Sequence, residues 1–230
     1  MMVNHDSPLR SLPTRLHPIH VLHLDGIRIS VEMAEVAAER LLASLHKASD
    51  GSISAEVVRQ IVPMAMLDAW VIVECIHRVR ELLEHMPGLK QKDPVIQLFY
   101  RKTLEAKRMR NFVQHLKGEI GKVATRELPL WGVLSWRSAD VDSTQIGHLL
   151  VPGTLYPGSK NHGPYFGEAC KAPVSDLVLR TAVGATKVLE LVKTMEPVIS
   201  LFERSLRRQV GQAPSSGADM IILFSSTPLL

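Results

Sequence analysis

Three polar residues in the middle of the chain, Arg110, Asn111 and His115, combine side chains suited to proton transfer and to anion binding. Histidine titrates near neutral pH, whereas the guanidinium group of arginine stays charged. Cleavage of an RNA phosphodiester by its own 2′-hydroxyl group needs a residue that moves protons and a cation that stabilises charge on the phosphate. His115 and Arg110 fit these two roles, and this chemistry requires no metal ion.

The segment around these residues is strongly basic. Positions 101 to 122 hold seven basic and two acidic residues, a local net charge of +5 that exceeds the +4 of the whole chain. Either a solvated helix face or a surface for an anionic partner explains this excess. A solvated face usually carries compensating acidic residues one turn away, and here these are few. RNA phosphate is the natural anionic partner, and the predicted RNA-binding residues are Arg101, Lys107, Arg108 and Lys117.

Apolar positions in 94–123 recur at intervals of three and four residues, which predicts one long amphipathic helix. On a straight helix, residues five positions apart differ by about 140°, so Arg110 and His115 lie on different faces. Asn111 and His115 are four residues apart and share a face. Glu119, one turn after His115, is placed to orient the imidazole. A single copy of this helix therefore does not bring Arg110 and His115 together.

An arginine followed by a histidine at this spacing is common in the chain. Six other pairs have similar spacing, namely Arg10–His17, Arg15–His20, Arg40–His46, Arg78–His85, Arg80–His85 and Arg108–His115. Only Arg110 is followed directly by asparagine. With that asparagine, 110–115 resembles the signature of the HEPN superfamily: an arginine, four to six residues and a histidine, with a polar residue (often asparagine) directly after the arginine. The resemblance covers the helical region from about 55 to 123.

The resemblance implies a helical bundle and a metal-independent endoribonuclease that acts as a homodimer, with a site formed from two chains. It implies that His115 transfers protons, Arg110 stabilises the phosphate and Asn111 positions the substrate. No cofactor is expected. RNA-targeting defence or a toxin–antitoxin pair would be the setting, with an antitoxin or another protein as a further partner.

HEPN proteins often carry an acidic residue near the arginine, on a neighbouring helix. Asp68 and Glu74 are the candidates, and either is able to hold Arg110 or Arg108 in a bidentate pair. An ordinary structural salt bridge is the alternative role. Glu74 and His77 also form a Glu-x-x-His unit, which di-iron bundles use twice. Because the chain contains only one such unit, we predict no metal site.

Two other functions remain open on the sequence. The first is a non-catalytic helical bundle that binds RNA or a protein partner, since many members of the superfamily do not cleave RNA. The second is a helical structural protein whose basic face docks on another subunit. RNA binding without cleavage distinguishes the first alternative from the nuclease, and weak dependence of binding on salt argues against any nucleic-acid role.

The composition favours helices packed on helices. Of 230 residues, 46% are hydrophobic and only 5% are aromatic, enough for one domain with a sizeable apolar core. We predict a mainly α fold, a four- to five-helix bundle with a small β-hairpin inserted before the last long helix. The predicted helices are 30–47, 55–86 with a cap at Ser52 or Ser54 and a kink at Pro63, 94–123 with a cap at Asp93, and a last helix that is capped by Ser175 or Asp176 and kinked at Pro197.

The remaining segments are predicted from prolines, glycines and short alternating patterns. Residues 1–18 are expected to form a disordered arm, and Ile19–Leu24 a short strand before a turn at Asp25-Gly26. The single HEPN-like domain is predicted to span 19–210. Its hairpin lies at about 130–155 and is followed by a loop at 156–172, and 211–230 forms a flexible tail.

Cysteine usage and hydropathy predict a cytoplasmic protein. Cys75 and Cys170 provide no disulfide framework, which favours a reducing compartment. The longest apolar run, 61–73, is interrupted by Pro63 and Asp68 and is too short to span a bilayer. The N-terminus has no continuous apolar core of a secretory signal. We therefore expect no association with membranes.

Overall fold

The computed structural model describes residues 1–49, 54–124, 129–139, 145–153, 175–209 and 219. This part of the chain is mainly helical with a small antiparallel sheet, as predicted. Its elements are a short 3-10 helix at Pro8–Arg10, α1 (Pro18–Ser49), α2 (Ala55–His85), α3 (Pro94–Lys102), α4 (Leu104–Gln114), α5 (Leu116–Ala124), β1 (Val133–Ala139), β2 (Gln145–Leu150), β3 (Ser175–Thr181), β4 (Gly184–Lys187), α6 (Val188–Lys193) and α7 (Glu196–Gln209).

The helices α1 and α2 form a long antiparallel pair at the centre of the fold. Early in α1, the Nδ1 atom of His23 lies 2.9 Å from the carbonyl oxygen of Leu82, late in α2. Later in α1, Arg40 contacts Asp68, which lies in the first half of α2, at 3.1 Å. The pair packs tightly through fully buried side chains, including Ile27, Val31, Leu41, Ile72 and Ile76. This packing gives α2 the fixed orientation from which it presents its polar residues.

The start of α1 differs from the prediction. The expected strand at Ile19–Leu24 and the turn at Asp25-Gly26 are wrong, because both segments lie within α1. Gly26 is helical and closely packed: a Cβ atom placed there would lie 2.9 Å from Leu82 Cδ1. The glycine that indicated a turn instead permits the close approach of two helices.

The predicted disordered arm at 1–18 is also wrong. Val3, Leu9 and Leu12 are buried in the main hydrophobic core. The Oγ atom of Ser7 donates a hydrogen bond to Glu203 Oε1 in α7, at 2.5 Å. Apart from the short 3-10 helix, the segment is irregular, so its apolar residues show no helical or strand spacing although they reach the core. The irregular sequence therefore suggested a disordered segment, but contacts with the rest of the fold order it.

The sheet has the strand order β2-β1-β3-β4, and all its pairs are antiparallel. Pairing of β1 with β2, in which Leu134 faces Leu150, confirms the predicted hairpin. The helix cap predicted at Ser175 or Asp176 is wrong, because these residues begin β3. Three consecutive buried residues, Leu177–Leu179, explain the error, since a strand buried on both faces shows no alternation.

The last predicted helix is shorter than expected and begins after the sheet. It corresponds to α6 and α7, and the break between them falls at Thr194 and Met195. Pro197 is the second residue of α7, so it lies in the first turn and not at a kink. A proline is tolerated there, since the first backbone N–H groups of a helix have no intrahelical partner.

The predicted helix at 94–123 is divided into α3, α4 and α5, with breaks at Thr103 and His115. The predicted cap is present, since Asp93 Oδ1 accepts a hydrogen bond from the Val95 N–H at 2.9 Å. Pro63 lies inside α2, which continues through it. Among the described helices, none combines the length and apolar character needed to cross a membrane. The predicted loop at 156–172, with Cys170, and all of the tail except Asp219 lie outside the described residues.

Candidate functional site

Arg110 lies on α4 with its side chain directed at α2. Its Nε atom is 3.5 Å from Glu74 Oε2, and the side chain is 19% exposed. The other carboxylate oxygen of Glu74 lies 3.2 Å from Arg78 Nη2. One carboxylate therefore sits between two guanidinium groups. Of the two acidic residues predicted as partners of Arg110, Glu74 is the one that contacts it.

Asp68 lies elsewhere, against α1. Its buried carboxylate contacts Arg40 Nη2 at 3.1 Å. Burial raises the pKa of Asp68, and the charge of Arg40 partly opposes that rise. The other arginine considered for such a pair, Arg108, contacts Glu105 on its own helix at 2.6 Å. Asp68 therefore joins α1 to α2 and does not contribute to the surroundings of Arg110.

His115 marks the junction between α4 and α5. Its backbone N–H donates to the carbonyl oxygens of Asn111 and Phe112 at 3.1 and 3.2 Å, and α4 ends there. The side chains of His115 and Asn111 are both exposed. Because residues 110–114 are helical and the His115 N–H still reaches the carbonyl oxygen of Asn111, Arg110 and His115 remain about 140° apart around the axis of α4. Glu119, in the first turn of α5, is half-buried.

The basic residues of this region do not share one helix face. Arg101 lies on α3, Lys107 and Arg108 lie on α4, and Lys117 lies on α5. Arg101, Arg108 and Lys117 are exposed, whereas Lys107 is half-buried and contacts Glu84 of α2 at 3.6 Å. The breaks at Thr103 and His115 therefore divide the predicted positive face among three helices.

Buried Arg80 holds the α3–α4 break in place. Its Nη1 atom donates to the carbonyl oxygen of Tyr100 at 2.6 Å and to Thr103 Oγ1 at 2.7 Å. Its guanidinium carbon lies 4.9 Å from the centre of the Tyr100 ring, and Nη2 is 3.5 Å from Glu84. Burial lowers the pKa of Arg80 and raises that of Tyr100 to about 12. In the sequence, the signal for this role is that Arg80 lies between the apolar residues Val79 and Leu83; the structure shows that both are buried.

His77 is a second buried polar residue that sequence reasoning did not place near the site. It is 3% exposed, and neither ring nitrogen has a hydrogen-bond partner among the described residues. Nε2 lies 3.2 Å from the Glu81 carboxylate without hydrogen-bond alignment. Burial lowers the pKa of His77; Glu81 opposes the shift, and Arg110 reinforces it. His77 therefore lies within the electrostatic field of Arg110 and favours its neutral form.

This shift predicts a loss of stability in mild acid. The folded protein binds the proton of His77 less readily than the unfolded chain does, so the unfolded chain holds more protons below the ordinary pKa of 6.5. The free energy of unfolding should therefore fall as pH falls through that value. Urea denaturation at about pH 7.5 and about pH 5.5 measures the difference.

His77→Leu should reduce this pH dependence, and His46→Gln, at an exposed position on α1, should not change it. Burial also lowers the pKa of His148, so part of the dependence should persist in the His77 variant. An equal pH dependence in His77→Leu and the wild type would contradict the role given to His77.

An open groove of ≈ 770 Å³ runs between α1 and α2 beside the Glu74–Arg110 pair. A second groove of ≈ 360 Å³ continues it and shares Ile29, Met33 and Val71. Glu74 and Arg78 line the first groove at its polar end. We name the surface formed by the apolar residues of these two helices the α1–α2 face; it comprises Leu22, Ile29, Met33 and Val36 of α1 with Leu67 and Val71 of α2.

Through Glu74, this apolar face adjoins the part of α4 that carries Arg110. The structure thus brings Arg110 to Glu74 and His77, and leaves Asn111 and His115 open to solvent at the end of the same helix. Comparison of the chain with protein-family models, with curated proteins and with solved structures found no match.

Proposed function

We propose that this protein is a HEPN-like, metal-independent endoribonuclease that acts as a homodimer. The observation that carries the proposal is the position of Arg110 on α4. Its guanidinium group pairs with Glu74 of α2, and the exposed Asn111 and His115 follow it at the end of α4. The same helix thus carries a cation with a fixed partner and, five residues later, a solvent-accessible histidine. The pair formed by α1 and α2, with α4 packed on α2, would be the helical bundle of such a protein.

In this proposal His115 accepts the proton of the ribose 2′-hydroxyl group as its oxygen attacks the phosphorus atom. The bond to the 5′-oxygen breaks, and that oxygen takes a proton, which leaves a 2′,3′-cyclic phosphate and a 5′-hydroxyl end. Arg110 stabilises the negative charge that develops on the phosphate oxygens. Asn111 positions the phosphate or a base, and Glu119 orients His115. A second copy of the chain supplies the second histidine for protonation of the leaving group.

The basic residues near the site would guide RNA to it. Exposed Arg101 on α3, Arg108 on α4 and Lys117 on α5 would contact phosphates outside the scissile bond. Such contacts release counterions, so RNA affinity should fall steeply with salt. Cysteine usage and hydropathy support a location in the cytoplasm, and the resemblance alone supports a role in RNA-targeting defence or in a toxin–antitoxin pair.

Incubation of the wild-type protein with single-stranded RNA in excess EDTA tests this proposal. We expect cleavage that persists in EDTA and yields products with cyclic phosphate ends, which phosphatase and kinase labelling identify. Arg110→Ala should lower cleavage by about 10²- to 10³-fold, the range reported for loss of one charge-stabilising group. A requirement for divalent cations would contradict the proposed mechanism.

One observation favours the alternative of a non-catalytic bundle that binds RNA or a protein. Glu74 already contacts both Arg110 and Arg78, which reduces the charge that Arg110 offers to a phosphate. If this alternative holds, the protein should shift RNA in gels without cutting it, and its affinity should still fall steeply with salt. Glu74→Gln should then strengthen RNA binding, because it releases both guanidinium groups.

A further inference from the structure

One side of α1 exposes large apolar side chains from Leu22 to Val36, along about half of the helix. Leu22 is 71% exposed, Ile29 40%, Met33 50% and Val36 53%. On the neighbouring helix, Leu67 is 56% exposed and continues the same apolar surface. Single exposed apolar residues are ordinary, but a contiguous set along a helix marks an interaction surface. The α1–α2 face is therefore a docking surface.

The charged residues on this side of α1 are arranged symmetrically about Val36. Asp25 lies eleven residues before it and Lys47 eleven residues after it, whereas Glu32 and Arg40 lie four residues before and after. At about 100° per residue, these four charged residues and Val36 lie within a sector of about 80° around the helix axis. The first half of this side is thus acidic and the second half is basic.

Such a helix is complementary to a copy of itself that runs in the opposite direction. A twofold axis at Val36 would place Asp25 opposite Lys47 and Glu32 opposite Arg40, and each contact would occur twice. Two of these side chains already have ion pairs within the chain: Arg40 contacts Asp68 at 3.1 Å, and Glu32 contacts Arg10 at 2.5 Å and Arg28 at 3.3 Å. These pairs fix the positions of both charges beside the apolar residues.

We propose that the α1–α2 face binds a second copy of this chain, with α1 antiparallel to its counterpart and the twofold axis at Val36. The inference rests on the proposed function, since it names the partner surface of the same site. The groove on this face is lined by Glu74, which holds Arg110. The second copy therefore closes the groove over Glu74, the carboxylate that contacts Arg110.

Cross-linking tests the position of the axis directly. A residue on a twofold axis meets its own copy, so Val36→Cys should form a disulfide-linked dimer under mild oxidation. The experiment uses a Cys170→Ser background, and Cys75 is buried and stays in place. Glu190→Cys on α6, where the native side chain is 61% exposed, is the matched control. Equal cross-linking of the two variants overturns the proposal.

Charge exchange tests the antiparallel arrangement. Asp25→Lys and Lys47→Glu should each weaken dimerisation in sedimentation experiments at low salt, and the double variant should regain most of the wild-type affinity. Lys193→Glu, where the native side chain is 70% exposed on α6, should have no effect. Val36→Asp should weaken the dimer by about 30-fold or more, the effect of losing a central apolar contact. A double variant weaker than either single one overturns the arrangement.

RNA cleavage by the same variants separates this inference from the proposed function. If Val36→Asp is monomeric and the wild-type dimer cleaves no RNA, the docking surface stands and the nuclease proposal fails. If Val36→Asp remains dimeric and cleaves RNA, the surface is wrong and the nuclease proposal stands. A wild-type protein that is monomeric at all concentrations overturns the surface as well.

Discussion

Replacement of His115 by alanine is expected to lower the rate of RNA cleavage by about 10²- to 10⁴-fold, the contribution of a general acid–base group. The folded structure should be unaffected, because the side chain is exposed at the end of α4 and only the backbone N–H of His115 closes the helix. Single-turnover cleavage of a labelled RNA measures the rate. Circular dichroism and sedimentation velocity verify the fold and the oligomeric state.

His5→Ala is the matched control, because this residue is also an exposed histidine but lies in the N-terminal segment. It should cleave RNA at the wild-type rate. Equal cleavage by His115→Ala and the wild type would remove His115 from the mechanism and with it the resemblance to HEPN ribonucleases. Loss of cleavage in both variants would point to general damage by the substitutions and not to acid–base chemistry.

Replacement of Arg80 by alanine should have the largest effect on stability, a loss of about 3 kcal/mol in the free energy of unfolding. The guanidinium is buried, and it donates to the Tyr100 carbonyl oxygen and to Thr103 Oγ1. Without it, buried acceptors lose their donor and Glu84 keeps Lys107 but loses the ion pair with Arg80. Urea denaturation with a two-state fit measures the loss.

Arg59→Ala provides the comparison on the same helix, since the Arg59 side chain is 78% exposed and its only ion pair in the described residues is with Glu56. This change should alter stability by less than about 0.5 kcal/mol. A loss below about 1 kcal/mol in Arg80→Ala would mean that the α3–α4 break is held by other contacts. Because α4 carries Arg110, Arg80→Ala should also weaken RNA cleavage through its effect on that helix.

The features that the sequence predicted correctly depend on local interactions. The cap of α2 at Ser54 and the cap of α3 at Asp93 each involve a hydrogen bond to a residue two or three positions away. The helical content follows from apolar residues at three- and four-residue spacing, and the hairpin of β1 and β2 from two short strands around a polar turn. These interactions lie close together in the chain, so neighbouring residues suffice to predict them.

The features that the sequence did not predict depend on distant contacts. Gly26 indicated a turn, but Leu82 of α2 packs against it in a helix. The irregular N-terminal segment is ordered because Leu9 and its apolar neighbours meet the core and Ser7 meets Glu203 of α7. The predicted helix at 94–123 breaks at Thr103 because Arg80 binds there from α2.

The candidate site shows the same division. The residue types and the spacing of Arg110, Asn111 and His115 come from the sequence alone, as does the positive charge around them. Only the tertiary structure decided that Glu74, and not Asp68, holds Arg110, that His77 lies buried nearby, and that His115 ends a helix. The physical reason is that spacing along a helix defines which residues share a face, whereas packing between helices decides what that face meets.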